Sequence, residues 1–341
     1  MPINRHIVIP IFVPHKGCPF DCIYCNQKAI SGQLVEMTPE LMENTIETYL
    51  KSIFPDSYIE VAFYGGSFTG IEKSEQISLL KIAKKYLDNG SIKGIRLSTR
   101  PDYITNEIME YLVEYGVNTI ELGVQSLDDG VLKKSCRGHN AQQVEFASKL
   151  IKKYNVNLGI QTMIGLPQDT AEKDIITATK VVGLKPQIVR IYPTLVIKDT
   201  FLEMMYKKGE YKPLTLEEAV DISAKLLQIY RSNNIKVIRV GLQPTEDLND
   251  GKNVIAGPFH PAFRQLAEAK LMLYKIEDII EREGLANSRE IVIYANSGNI
   301  SNVVGQKREN IVKIKEKYNI KNVIIRTDNT ISEEQGCFIC I

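Results

Sequence analysis

Short β-branched and apolar runs alternate with longer amphipathic stretches from the start of the chain to about residue 240. The runs His6–Val13, Tyr58–Tyr64, Gly94–Thr99, Thr119–Gly123, Asn157–Met163 and Gln187–Tyr192 predict strands. Between them, Pro39–Ile53, Ser74–Leu87, Asn106–Tyr115, Ala141–Tyr154 and Thr170–Val182 carry apolar residues at helical spacing, and a sixth such stretch, Leu216–Arg231, follows the last strand. Strictly repeated βα units imply a parallel sheet, and six of them suit an α/β barrel or partial barrel.

The unusual residues fall in one kind of place. A cysteine-rich loop follows the first strand, Gly65-Gly66-Ser67 the second, Ser98-Thr99-Arg100-Pro101 the third and Gln125-Ser126 the fourth. Gly165-Leu166-Pro167 closes the fifth strand and Tyr192-Pro193-Thr194 the sixth. In a βα barrel the loops at the C-terminal strand ends converge on one mouth, where active sites sit.

After residue 240 the alternation weakens. Gly241–Thr245 and Ala256–Pro261 punctuate a loop region, a helix is expected over Ala262–Glu283, and the end reads βαβ: Ile291–Ala295, Glu309–Tyr318, Val323–Arg326. This predicts two units, a barrel over residues 1–245 and a small C-terminal α/β extension over 246–341. A length of 341 residues accommodates both, and 44% apolar residues suffice for a sizeable core. No apolar run reaches the 18 residues a membrane helix needs, and the start lacks the pattern of an export signal, so a cytoplasmic protein is expected. The six cysteines then read as reduced thiols or ligands. A formal charge of +1 gives no global nucleic-acid footprint.

Three of the cysteines, Cys18, Cys22 and Cys25, lie within eight residues in the run GCPFDCIYCNQ. Thiolates are soft ligands for zinc or iron–sulfur clusters. A structural zinc takes four protein ligands and would have to borrow one such as His15. Three thiolates on a cubane cluster instead leave one iron free for chemistry. A second Cys-x2-Cys, Cys337 and Cys340, ends the chain and reads as idle thiols, a redox pair or ligands of another metal.

The Cys-x3-Cys-x2-Cys loop, followed by a strand ending in Tyr64-Gly65-Gly66-Ser67-Phe68, resembles the radical S-adenosylmethionine (SAM) superfamily, and within it the radical-SAM domain of the Elongator catalytic subunit and its bacterial relatives. Ile120–Asp129 and Arg190–Ile197 carry the Elongator likeness, which covers about residues 7–240. The resemblance implies a partial TIM barrel, (β/α)6, in which Cys18, Cys22 and Cys25 hold a [4Fe–4S] cluster. The amino and carboxylate groups of SAM chelate the fourth iron. An external one-electron donor of flavodoxin or ferredoxin type reduces the cluster, and SAM is cleaved to a 5′-deoxyadenosyl radical that abstracts a substrate hydrogen. By the same resemblance Tyr24 packs beside the cluster and adenine, and backbone carbonyls of Gly65, Gly66 and Ser67 hold the SAM amino group. Gln125 bonds the ribose and Arg137 the carboxylate, Gln161 and Met163 face the nucleoside, and Tyr192 lines the radical pocket as the candidate catalytic residue.

One position departs from the pattern. Elongator-type enzymes carry an acidic residue before Thr-Arg-Pro-Asp, where this chain has Ser98, so a hydroxyl replaces the carboxylate that would grip the ribose. Nothing in the sequence reads as an acetyltransferase domain. Asn287–Arg326 holds eight basic residues against three glutamates, a local net of +5, which is either a solvated helix face or an RNA-docking patch. Three functions stay open: a tRNA-modifying radical SAM enzyme, one acting on a small molecule in the manner of anaerobic coproporphyrinogen oxidase, and a non-catalytic iron–sulfur or zinc protein.

Overall fold

In the computed structural model, residues 5–13, 22–26, 37–54, 57–242, 253–332 and 336–340 are described. Every strand and helix expected up to residue 232 is present. The order is β1 (His6–Phe12), α1 (Pro39–Ser52), β2 (Tyr58–Tyr64), α2 (Lys73–Asp88), β3 (Gly94–Thr99), α3 (Asn106–Glu114) and β4 (Val117–Gln125). There follow α4 (Asp129–Lys134), α5 (Ala141–Lys153), β5 (Asn157–Ile164), α6 (Ala171–Gly183), β6 (Ile188–Pro193), a two-residue β7 (Val196–Ile197), α7 (Phe201–Lys207) and α8 (Leu216–Ser232). The sequence led to six barrel strands; the structure adds a seventh, β8 (Lys236–Val240), in the run KVIRV. The sheet is parallel with order β1-β2-β3-β4-β5-β6-β8, curled into a half-barrel whose edges, β1 and β8, do not pair with each other.

The period-2 alternation of each strand decides which residues reach the interior of the curl. Ile9, Ile11, Val61, Phe63, Ile95, Leu97, Ile120, Leu122, Leu158, Ile160, Val189 and Ile191 are buried against the outer helices in one continuous core. Intervening residues, among them Pro10, Tyr64, Ser98, Gln161, Met163 and Tyr192, turn to the concave side. Caps fix the helix starts: the side chains of Thr38, Thr105, Asp128, Asn140, Thr170, Thr200 and Thr215 each accept a bond from a first-turn backbone N–H. Each such cap contributes about 1 kcal/mol.

Beyond the barrel, β9 (Val254–Ala256) pairs antiparallel with β7. The long helix α9 (Phe263–Arg282) is shared between two cores. Phe263, Ala267 and Leu271 belong to the barrel's, whereas Met272, Leu273, Ile276 and Ile280 pack with β10 (Glu290–Ala295), α10 (Ile300–Val304), α11 (Glu309–Tyr318) and β11 (Asn322–Thr327). The expected terminal βαβ gains a third strand, β12 (Cys337–Cys340), antiparallel to β10, giving the order β11-β10-β12. This strand decides the geometry of the terminal cysteines. Three residues along a strand span about 10 Å and point to opposite faces, so Cys337 and Cys340 can neither form a disulfide with each other nor share a metal.

Candidate active site

Residues 22–26 of the cysteine loop are pinned from two sides. Ile23 donates to Ser135 O (3.3 Å) and accepts from Leu202 N (2.7 Å), and Asn26 Nδ2 donates to Lys198 O (2.9 Å). The Ile23 side chain is buried with Val196, Leu202, Met205 and Tyr211. A turn closed by Cys25 N donating to Cys22 O (2.9 Å) brings Cys22 and Cys25 to the same cavity. Cys18 lies outside the described residues, as does His15. Tyr24 stands between the two thiols with its hydroxyl shielded, and burial, partly opposed by the Arg137 charge, raises its pKa so that it stays a neutral phenol.

The opposite wall is built from three strand ends. Gly65 has φ +97°, and a Cβ there would lie 3.1 Å from Val13 O and 3.3 Å from Phe12 Cδ1, so only glycine fits this turn beside β1. Ser67 Oγ is 2.9 Å from Thr99 Oγ1 and accepts from Arg100 N at 3.2 Å, tying the second mouth loop to the third. Arg100, 1% exposed, grips Asp102 with Nε (3.0 Å) and Nη2 (2.9 Å) and donates to Arg137 O at 2.7 Å. It thereby positions Arg137, whose Nη2 donates to Gly123 O (2.6 Å) and whose Nη1 lies 3.4 Å from Cys22 Sγ. His139 follows; burial and then the Arg137 charge push its pKa down to about 3, so it is a neutral ring against Val124 O (3.2 Å). Gln125 sits at φ +68° on the bulge that ends β4, buried, with its Oε1 unpartnered among the described residues. A left-handed non-glycine residue carrying an unsatisfied buried acceptor is the kind of local strain that functional sites store.

All twelve described candidates (Cys22, Cys25, Tyr24, Gly65, Gly66, Ser67, Ser98, Gln125, Arg137, Gln161, Met163 and Tyr192) line one cavity of about 1020 Å³ inside the half-barrel. Pairing places Met163 beside Tyr192, Gln161 beside Arg190, and Ser98 beside Glu121.

Sequence reasoning missed the charges on the same concave face. Glu121, 2% exposed, accepts from Arg190 Nη2 (3.0 Å) and Nε (2.5 Å), from Arg96 Nη1 (3.2 Å) and from the Tyr64 hydroxyl (3.2 Å). Arg96 also pairs with Glu60, which His6 Nε2 meets at 2.6 Å. Arg190 Nη2 donates to Tyr64 (2.8 Å), and its Nη1 approaches the Tyr192 hydroxyl (3.5 Å). Burial alone would raise Glu121, but Arg190 and then Arg96 hold its carboxyl below the usual range. Gly159 leaves room for this belt, because a Cβ there would lie 2.8 Å from Glu121 Cγ on β4 and 3.0 Å from Ile188 Cγ1 on β6. The signal was legible as one charged residue inside each of several apolar strands, as in YIEVAFY, GIRLST, TIELGVQ and IVRIYP.

The sequence matches the Radical SAM superfamily over residues 12–178 and the Radical_SAM C-terminal domain over residues 186–274. The chain belongs to the radical SAM superfamily. It is therefore an enzyme of the radical SAM class. Among curated relatives, the tRNA uridine(34) acetyltransferase of Dehalococcoides mccartyi is 29% identical over 244 residues, covering 60% of this chain and 53% of that protein. Human Elongator complex protein 3 is 32% identical over 152 residues, covering 43% and 28%. The chain spans about half the length of the acetyltransferases it matches. The solved structure of archaeal Methanocaldococcus infernus Elp3, lacking its N-terminus, superposes with a TM-score of 0.63 at 23% identity over 89% of this chain and 67% of that one, a likeness of fold. The radical SAM match runs from β1 into α6 and so takes in the cysteine loop and the mouth loops through β5, while the C-terminal match includes β6, β8 and the start of α9.

The basic run of the extension is partly neutralised in place. Lys313 pairs with Glu309, and Lys317 lies 3.0 Å from Glu277 and 3.6 Å from Glu281 on α9. Lys315 stays exposed.

Proposed function

We propose that Cys18, Cys22 and Cys25 hold a [4Fe–4S] cluster, that SAM lies between the cysteine loop and the β2–β6 strand ends, and that the protein modifies tRNA by hydrogen abstraction. The observation that carries this reading is the convergence of twelve residues, from seven separate stretches of chain, on one cavity. The donor set fits the cluster: two thiolates on one turn open toward the cavity, unlike the closed four-ligand shell of a structural zinc. When bound, the cluster supplies the electron that cleaves SAM, and SAM supplies the hydrogen-abstracting radical.

The chain's own residues bind and orient. Arg137, fixed by Gly123 O and by Arg100, presents a guanidinium beside the thiolates, where a SAM carboxylate can accept from it. Gln125 offers its unpartnered Oε1 to a ribose hydroxyl, a bond that compensates for the shortened side chain at Ser98. Tyr192, beside Met163, faces the space left for substrate. The reducing electron comes from a flavodoxin- or ferredoxin-type donor. Transfer RNA as substrate rests on the named activity of the acetyltransferase relatives.

The test is anaerobic reconstitution followed by reduction. A [4Fe–4S] paramagnetic signal perturbed by SAM, 5′-deoxyadenosine release, and a nucleoside missing from the tRNA of a deletion strain would together support the reading. A colourless protein with stoichiometric zinc would falsify it.

A further inference from the structure

The connection between α7 and α8 fastens the cysteine loop to the end of β5. Helix α7 ends in a Schellman motif: Gly209 N donates to Tyr206 O (3.0 Å) and Glu210 N to Met205 O (2.9 Å), with Gly209 at φ +74°. This reversal lays Tyr211 back on the small apolar cluster of Ile23, Val196, Leu202 and Met205, against which Tyr24 also packs. Ile23 and Tyr24, the residues between Cys22 and Cys25, therefore rest on the same cluster as the Tyr211 ring.

The other end of that side chain reaches the opposite wall. The Tyr211 hydroxyl donates to Gly165 O at 2.7 Å. Leu214 lies against the same residue, since a Cβ at Gly165 would meet Leu214 Cδ1 at 2.6 Å. Gly165 directly follows β5, whose Gln161 and Met163 line the cavity. Its neighbour Ile164 O accepts from Thr194 N (3.0 Å) and Thr194 Oγ1 (2.7 Å), two residues before Val196 of the apolar cluster. Tyr211 is 8% exposed and lines no part of the cavity. Burial, and then the Asp169 carboxylate, push its pKa up, so the hydroxyl stays a donor. A phenylalanine would fill the apolar cluster equally well. The hydroxyl is explained by Gly165.

We propose that Tyr211 is a positioning residue for SAM cleavage, fixing the separation between the cysteine loop and the end of β5. It acts through Ile23 and Tyr24 on one side and through Gly165 and Met163 on the other. The inference rests on the reading above, in which the cysteine loop carries the cluster and β5 faces the nucleoside. Under that reading the two halves of the reacting pair are held by different segments of chain, and Tyr211 ties those segments together. A misplacement of about 1 Å, caused far from the chemistry, can cost about 10²-fold in rate, so such a tie acts on the cleavage step as well as on affinity.

Tyr211→Phe tests this, because it keeps the ring in the apolar cluster and removes only the bond to Gly165 O. The reconstituted variant is expected to keep its iron content and its reduced paramagnetic signal. Its Kd for SAM, read by calorimetry, should rise about twofold to tenfold, the loss of one neutral hydrogen bond. At saturating SAM, 5′-deoxyadenosine release per iron should fall about threefold or more, and the SAM-perturbed signal should change shape. Tyr86→Phe is the matched control: Tyr86 is 6% exposed and its hydroxyl donates to Glu47 Oε1 (3.3 Å) between α2 and α1, away from the mouth. It loses a phenolic bond of the same kind and should leave SAM affinity, rate and signal at wild-type values. An unchanged rate at saturating SAM in Tyr211→Phe would overturn the proposal, whatever its Kd. So would equal changes in Tyr86→Phe, which would trace them to lowered stability. Failure of the SAM reading itself shows separately, as wild-type protein that releases no 5′-deoxyadenosine.

Discussion

Two Cys-x2-Cys pairs occur in this chain, and the backbone under each gives them opposite fates. Cys22 and Cys25 sit on a turn, closed by a 2.9 Å backbone bond between the two residues, and both thiols open into the barrel cavity. Cys337 and Cys340 sit on β12, where Cys337 joins the core side with Ile339 and Cys340 turns the other way. Spacing in sequence is therefore a statement about a ligand set only once the local conformation is known. A turn gathers side chains three residues apart; a strand sends them to opposite faces.

The sharpest way to break this contrast is to remove one thiol from each pair. Cys22→Ala or Cys25→Ala is expected to abolish the cluster and all 5′-deoxyadenosine release after reconstitution. Cys340→Ala should leave iron content and SAM cleavage intact. Iron loss in the Cys340 variant would show that the terminal pair is a ligand set after all.

How far the sequence reached follows the same logic. The barrel units were legible because apolar strands and amphipathic helices differ in period, and the mouth residues were legible because glycines, prolines and polar clusters break those periods at strand ends. Strand β8 escaped because a five-residue run after a long helix carries Lys236 and Arg239, which weaken its apolar pattern. The Glu121 belt escaped for a different reason. Its members lie far apart in sequence and meet only because β2, β3, β4 and β6 share one concave face, with Gly159 clearing the way across β5. The terminal strand β12 was invisible because four residues give no periodicity to read.

Charge extends the comparison from sulfur to carboxylates. Glu121→Gln would leave Arg96 and Arg190 buried with half their compensation, and breaking a buried ion pair from one side costs about 3–5 kcal/mol. Glu309→Gln on α11 removes an exposed partner of Lys313 in an i,i+4 pair and should cost no more than about 0.5 kcal/mol. Chemical denaturation of the two variants checks both; equal losses would mean that the belt is more solvated than its burial indicates.

A smaller effect is expected at the mouth, where Arg137 lies within 3.4 Å of the Cys22 sulfur. Arg137→Ala should weaken SAM about tenfold to a hundredfold, the loss of a charge-assisted bond of about 1.5–3 kcal/mol, with iron content retained. Calorimetry showing unchanged SAM affinity would confine Arg137 to bridging β4 and the cysteine loop.

The last effect returns to the terminal pair and is a matter of rate. Burial, slightly offset by Lys275, pushes the Cys337 thiol up to about 11 from an ordinary 9.0. The reactive form is the thiolate, so iodoacetamide should label Cys337 about tenfold faster for each pH unit from 7 to 10, whereas the rate of an ordinary cysteine begins to level off near pH 9. The same shift makes a sign prediction for stability. Below pH 9 the thiol is protonated in both folded and unfolded chains and contributes nothing. Between about 9 and 11 the unfolded chain ionises first, so stability falls as pH rises through that window. Cys337→Ala removes this slope while adding a small cavity beside Ile339. Peptide-level mass spectrometry of labelling at four pH values decides it: a rate that levels off between pH 9 and 10 would show that β12 does not hold Cys337 against the core, and the scattering of the terminal pair would then need another cause.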